Sequence, residues 1–391
     1  MGGPSIEGHA EPGFGGVADA FRANLAAGLD GGAGLCVYAG GRQVLNLAGS
    51  AEGAGAFGLD SLLGVASCTK GAAAVVVHRL VEQGILDLDA PVCRYWPEFS
   101  EGDKEAVTLR WVMSHRAGVP FPSPEVRRPG GSLLEDCTRS ELIGASRPWW
   151  EPGSKYAYHA VTYGTILGEV VRRVAGKSLG ALFAEQVAQP LGLRFWVGAP
   201  ESVLEHISAP DPVPASTVDA AALAGAGLAP DSLAGRLVLD LVAVVDEVIE
   251  IETSPRPERR REWFGREVPA SNGVADASAL ARLYGACMGE LDGIRALSPE
   301  TVAAATEDQT AGVPHAGVGE GGAFGLGFQL PPEANAIGPG CFGHDGLGGR
   351  VGLASPSTGI AVGFVCTRLW MDSVQPDPRW ATLRRAILDA S

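Results

Sequence analysis

Lysine is scarce in this sequence: it occurs only at positions 70, 104, 155 and 177, and the rest of the basic charge falls on arginine. Thirty basic residues face forty-five Asp and Glu, a net charge of -15, which leaves no basic stripe to follow a phosphate backbone or an anionic membrane surface. The one tight basic run, Arg259 to Arg261, is flanked by Glu258 and Glu262 and is expected to be a solvated loop. Neither nucleic acid nor a membrane is an expected partner.

Disulfide and metal frameworks are missing too. The seven cysteines, at 36, 68, 93, 137, 287, 341 and 366, are odd in number and form no C-x-x-C pair. Reduced thiols in a cytoplasmic protein are the expectation. The histidines at 78, 115, 159, 206 and 315 lack metal-ligand spacing, and no H-E-x-x-H occurs. A G-x-G-x-x-G at 317–322 follows a loop and precedes a strand-like segment, the wrong order for a dinucleotide. No metal and no organic cofactor is therefore expected. The first residues lack the basic end and apolar stretch of a signal peptide, and charged residues interrupt the longest apolar run, Leu237 to Ile251. A G-x-S-x-G elbow is also absent, which counts against an α/β-hydrolase.

What is present is a chain of 391 residues, 46% hydrophobic with 55 Gly and 27 Pro, the composition of a folded protein with many turns. Residues 33–48 read as two strands joined at Gly40-Gly41. Residues 325–330, 351–354 and 360–366 are strand-like, and 378–390 has the period of a closing helix. Between these ends the period is helical, at 70–83, 163–175, 179–188 and 277–288. Loops are expected at 118–132, 208–232 and 310–322. The pattern predicts an α/β (α+β type) architecture: an antiparallel sheet flanked by helices, from residues 1–66 with 290–391, and a mainly helical region, 67–289, with a cleft between them.

Ser67-Cys68-Thr69-Lys70 stands where an apolar stretch turns into a helix. Ser67 there is either a helix N-cap or a nucleophile near free N–H groups and the positive dipole end. Three residues on, Lys70 shares its face, and desolvation would favour the neutral amine that can act as a base. This is the only S-x-x-K in the chain.

Around it the sequence resembles the serine β-lactamase-related family, which comprises class C β-lactamases, D-alanyl-D-alanine carboxypeptidases and family VIII carboxylesterases. The resemblance is carried by LVEQGILDLDAPVCRYWPEF (80–99), VTLRWVMSHRAGVP (107–120), WWEPGSKYAYHAVTYGTILGEVVRRVAG (149–176), the segment 269–302 and FGHDGLGGRVGLASP (342–356), in the family's order. It implies a β-lactamase/penicillin-binding-protein-like fold and places Tyr158 in the proton relay with Ser67 and Lys70. Whether Lys70 or Tyr158 is the base stays open. The family's third motif falls on His344-Asp345-Gly346. The resemblance implies an oxyanion hole from the N–H groups of Ser67 and Leu347, with His344, Gly346 and His159 near the substrate. Ala160 replaces the Asn, and His344 the Lys, that would anchor a β-lactam. The expected activity is thus a serine carboxylesterase acting on small esters through an acyl-enzyme. The alternatives are a transacylase using an amine or alcohol acceptor, or a silent binding scaffold on the same fold. Trp149, Trp150, Phe121 and Trp263 are candidate walls of an acyl pocket, and oligomeric state is not legible.

Overall fold

The computed structural model describes residues 3–213, 220–372 and 375–390. Its frame is an antiparallel sheet of eight strands, in the order β1-β3-β2-β11-β10-β9-β8-β7. The early chain supplies β1 (Ser5–Ala10), β2 (Gly32–Ala39) and β3 (Arg42–Ser50). The late chain supplies β7 (Ala323–Phe324), β8 (Gln329–Leu330), β9 (Phe342–Gly346), β10 (Arg350–Ser355) and β11 (Ile360–Cys366). The two ends meet where β2 pairs with β11, Val37 opposite Val362 and Leu35 opposite Phe364. A three-stranded ribbon, β4 (Leu63–Gly64), β6 (Val274–Ala275) and β5 (Phe195–Trp196), lies apart from it in the helical part.

Both faces of the large sheet are buried, so its central strands are apolar in both registers. Leu35, Val37, Val351, Leu353, Val362 and Phe364 point to one face. There they meet Val17, Phe21 and Leu25 of α1 (Gly15–Ala26) and Trp380, Leu383 and Ile387 of the closing helix Pro378–Asp389. The alternate residues Cys36, Tyr38, Ala354, Ala361 and Val365 join the other cluster, with Leu280 and Tyr284 of the helix Ala277–Met288. That helix falls within 67–289, yet it packs on the sheet. Glycines in the strands let it lie close: a Cβ on Gly363 would stand 2.0 Å from the Ala277 carbonyl oxygen, and one on Gly352 would stand 2.5 Å from the Tyr284 ring.

Four local expectations need correction. The stretch 325–330 is not one strand: Gly327 takes a positive φ and donates to Met113 O at 2.9 Å, bending the chain between β7 and β8. The basic run at 259–261 sits in a helix, Pro257–Gly265, opened by proline at its first turn; Arg259 and Arg261 reach Glu250 and Glu205 on its wet side. The helix expected at 179–188 is α-helical over Leu179–Phe183 and continues as a π-turn over Ala184–Ala188. Within the loops, Pro124–Val126 forms a 3₁₀ turn and Ala220–Gly225 a short helix, while 214–219 lie outside the described residues. No helix among the described residues is long and apolar enough to cross a membrane.

Candidate active site

Ser67 sits in a 3₁₀ turn, Ala66–Cys68, that leads into the long helix α2 (Thr69–Glu82). Ala66 before it has φ +45°, a left-handed conformation costly for a residue with a Cβ. Thr69 holds that turn. Its hydroxyl bonds the Ala66 carbonyl at 2.5 Å and accepts the Gly273 N–H at 2.8 Å, while Val65 N–H donates to Gly273 O. Gly346 of β9 closes on the turn from the sheet side, where a Cβ would stand 2.4 Å from the Val65 carbonyl oxygen. No side-chain cap is made at the start of either the turn or α2, so Ser67 is left facing outward.

Two groups reach its hydroxyl. Tyr158 Oη donates to Ser67 Oγ at 2.7 Å, and Lys70 Nζ lies 3.4 Å from the same oxygen. Lys70 is fully buried and donates to the carbonyls of Ala160 and Ala270 at 2.7 and 2.8 Å, with the Tyr158 ring 4.7 Å away. No carboxylate among the described residues pairs with it, and burial carries its pKa well below the usual lysine value. Burial also raises the Tyr158 phenol, more than the Ser67 hydrogen bond lowers it. Burial therefore favours the neutral form of both groups.

His344, on β9, is buried with Tyr158 on one side and Asp345 next to it. Burial pushes its pKa down to about 3, so the ring is neutral at ordinary pH. Its Nδ1 bonds the Asp345 carbonyl at 2.6 Å, and Nε2 has no partner among the described residues. The cationic anchor that a lysine would supply here is thus absent.

Ser67, Tyr158, His344, Gly346 and Leu347 line one cavity of about 390 Å³, and Lys70 lies beneath it. His159 does not line it. It is buried behind, where Nε2 accepts the Val119 N–H and Nδ1 meets Ala157 O, and its own N–H donates to His115 Nδ1. His159 thereby fixes the backbone that carries Tyr158. His115 has φ +61° and packs its ring on Tyr158 at a tilt of 52°, with 4.9 Å between ring centres.

The four aromatic residues proposed as walls do not line the cavity. Phe121, Trp149, Trp150 and Trp263 pack behind it, in the apolar cluster that also holds Val244 and Val248. The wall is instead Leu241, Val244, Val245 and Val248, a stripe with helical spacing on α3 (Leu233–Glu252). The sequence signal for it was the Leu237–Ile251 run, whose apolar positions recur every three or four residues.

Comparison with known proteins agrees with this architecture. The family model described as Beta-lactamase matches residues 19–386. The chain is 36% identical over 386 residues to the esterase/beta-lactamase LipL of Mycobacterium tuberculosis, covering 96% of this chain and 86% of that protein. Among solved structures, a family VIII carboxylesterase superposes with a TM-score of 0.80 at 32% identity, covering 99% of this chain and 100% of the other. A penicillin-binding protein homologue from Caulobacter crescentus gives 0.81 at 29% identity, covering 99% and 100%. With its sheet, its buried lysine below a serine turn and these matches along nearly its whole length, the chain belongs to the beta-lactamase family.

Proposed function

We propose that this serine hydrolase is a carboxylesterase that cleaves small neutral esters through an acyl-enzyme on Ser67, in the cleft between region 1–66 with 290–391 and region 67–289. The observation that carries the reading is the trio of Ser67, Lys70 and Tyr158, joined at 2.7 and 3.4 Å beneath an apolar cavity. LipL and the family VIII carboxylesterase are named for ester cleavage, which supports the same class. Lys70 takes the Ser67 proton as Oγ attacks the carbonyl carbon. The N–H groups of Ser67 and Leu347, which have no acceptor among the turn and loop hydrogen bonds of the described residues, receive the oxyanion. The proton passes by way of Tyr158 to the departing alcohol, and water then releases the acid.

Substrate class follows from the lining. Beside α3 stand Ala160, Val161 and Phe324, and Asp345 is the one charged residue at the cavity among the described residues. A neutral His344 gives a carboxylate no partner, so neutral acyl groups are preferred over penicillin-like anions. At roughly 30 Å³ per water-sized group, the space admits about a dozen non-hydrogen atoms.

The direct test is mass spectrometry after an organophosphate ester: the adduct is expected on the peptide carrying Ser67, and labelling elsewhere would remove Ser67 as nucleophile. A chain-length series tests the wall. At about 0.8 kcal/mol per buried methylene, kcat/KM should rise roughly tenfold from p-nitrophenyl acetate to butyrate. Val245→Trp is expected to flatten that rise to below about threefold with acetate little affected; an unchanged profile would place the acyl group elsewhere.

A further inference from the structure

Arg350 begins β10 and is completely buried, as is its partner Glu252 at the end of α3, with 3.4 Å between Nη2 and Oε2. Burying an ion pair is a weak source of stability, so its retention here calls for another account. The pair is also incompletely satisfied: Arg350 Nε and Glu252 Oε1 have no hydrogen-bond partner among the described residues. What Arg350 does hold is the Leu347 carbonyl, to which Nη1 donates at 2.6 Å.

Leu347 is the residue between two fixed points. On its N-terminal side, Gly346 is registered against Arg350 across the β9–β10 pair and packed on Val65 of the nucleophile turn. On its C-terminal side, the guanidinium fixes the carbonyl. The Leu347 N–H lies between these restraints. Glu252 in turn orients the guanidinium, and it belongs to the same helix whose Leu241, Val244, Val245 and Val248 wall the cavity.

Resting on the acyl-enzyme reading above, we propose that Arg350 is a positioning residue for the oxyanion hole: braced by Glu252, it aims the Leu347 N–H at the developing oxyanion and ties that donor to the helix that walls the acyl group. One nitrogen of the planar fork, Nη1, holds the carbonyl while the other, Nη2, is held by Glu252, a two-armed arrangement that neither an apolar replacement nor a lysine reproduces.

The experiment compares wild type, Arg350→Met, Arg350→Lys and Glu252→Gln on p-nitrophenyl butyrate and on an arylboronic acid, which forms a tetrahedral anionic adduct with a serine hydroxyl. A small misplacement of a donor costs on the order of a hundredfold. Arg350→Met is therefore expected to lower kcat about a hundredfold with KM within about threefold of wild type, and to weaken the boronic acid in proportion to kcat. Arg350→Lys and Glu252→Gln should fall between the two. A merely structural lesion reduces the folded fraction, read by thermal melting, without changing boronate affinity per folded molecule. If Arg350→Met does not fold, the two conservative variants decide. Folded variants with wild-type kcat, or with lowered kcat and undiminished boronate affinity, would overturn the proposal. Failure of wild type to be acylated on Ser67 would instead overturn the reading beneath it.

Discussion

Ser67→Ala is expected to abolish turnover of p-nitrophenyl butyrate, a loss of at least about a thousandfold in kcat, with the fold intact. The size follows from the role. Without Oγ there is no atom to form the acyl bond, and donors alone leave only the residual catalysis of a positioned water. The preserved fold follows from the local geometry: the Ser67 hydroxyl makes no helix cap, and its contacts are Tyr158 and Lys70. The turn is held by Thr69 and Gly273 instead. A helix-capping serine makes the opposite pair of expectations, about 1 kcal/mol of lost stability and unchanged activity. Steady-state kinetics beside a thermal melt therefore separates the two, and a fully active Ser67→Ala would end the nucleophile assignment.

The sheet was legible because its signals are local. The glycine hairpin at Gly40-Gly41 and the short continuous apolar runs of β10 and β11 follow from backbone rules that act over a few residues. The bend at Gly325–Phe328 was not legible, because it is set by a hydrogen bond to Met113 more than two hundred residues away. The helix Pro257–Gly265 was missed for a different reason. Its charged residues carry no apolar stripe, and what defines it is the proline at its first turn and ion pairs to other elements.

The site divides the same way. Ser67, Lys70 and Tyr158 were singled out from residue type and motif context, and the structure places Lys70 Nζ and Tyr158 Oη within hydrogen-bonding range of Ser67 Oγ. His159 was drawn to the pocket only by its place next to Tyr158, and chain adjacency does not decide which side of the backbone a ring occupies. Large aromatics attracted the acyl wall to Trp149 and its neighbours, whereas the wall is made by valines of a helix that the sequence presents only as an interrupted apolar run. Arg350 gave no signal at all: its meaning lies in a carbonyl three residues back and a carboxylate ninety-eight residues away.

Lys70→Met should lower kcat by about three orders of magnitude, and Tyr158→Phe by about two, with different effects on the pH profile. A neutral amine has two N–H bonds, and the carbonyls of Ala160 and Ala270 take both, leaving the lone pair for the Ser67 hydroxyl. Tyr158, whose phenol burial keeps protonated, donates to Ser67 Oγ and is placed to hand a proton onward. The sign follows. As pH falls through the depressed pKa of Lys70 the amine gains a proton and activity is lost, so wild type should show an acid limb well below the ordinary lysine range and a plateau above it. Because the Tyr158 phenol is raised above its ordinary value, no alkaline limb should intervene before it. Tyr158→Phe is expected to keep the acid limb beneath a lower plateau, while Lys70→Met removes the limb along with most of the rate. A tyrosinate base predicts the reverse: activity climbing past pH 10, and an acid limb that disappears with the phenol. Profiles of that form would transfer the base from Lys70 to Tyr158, and the carbonyls of Ala160 and Ala270 would then serve to hold an ammonium in place.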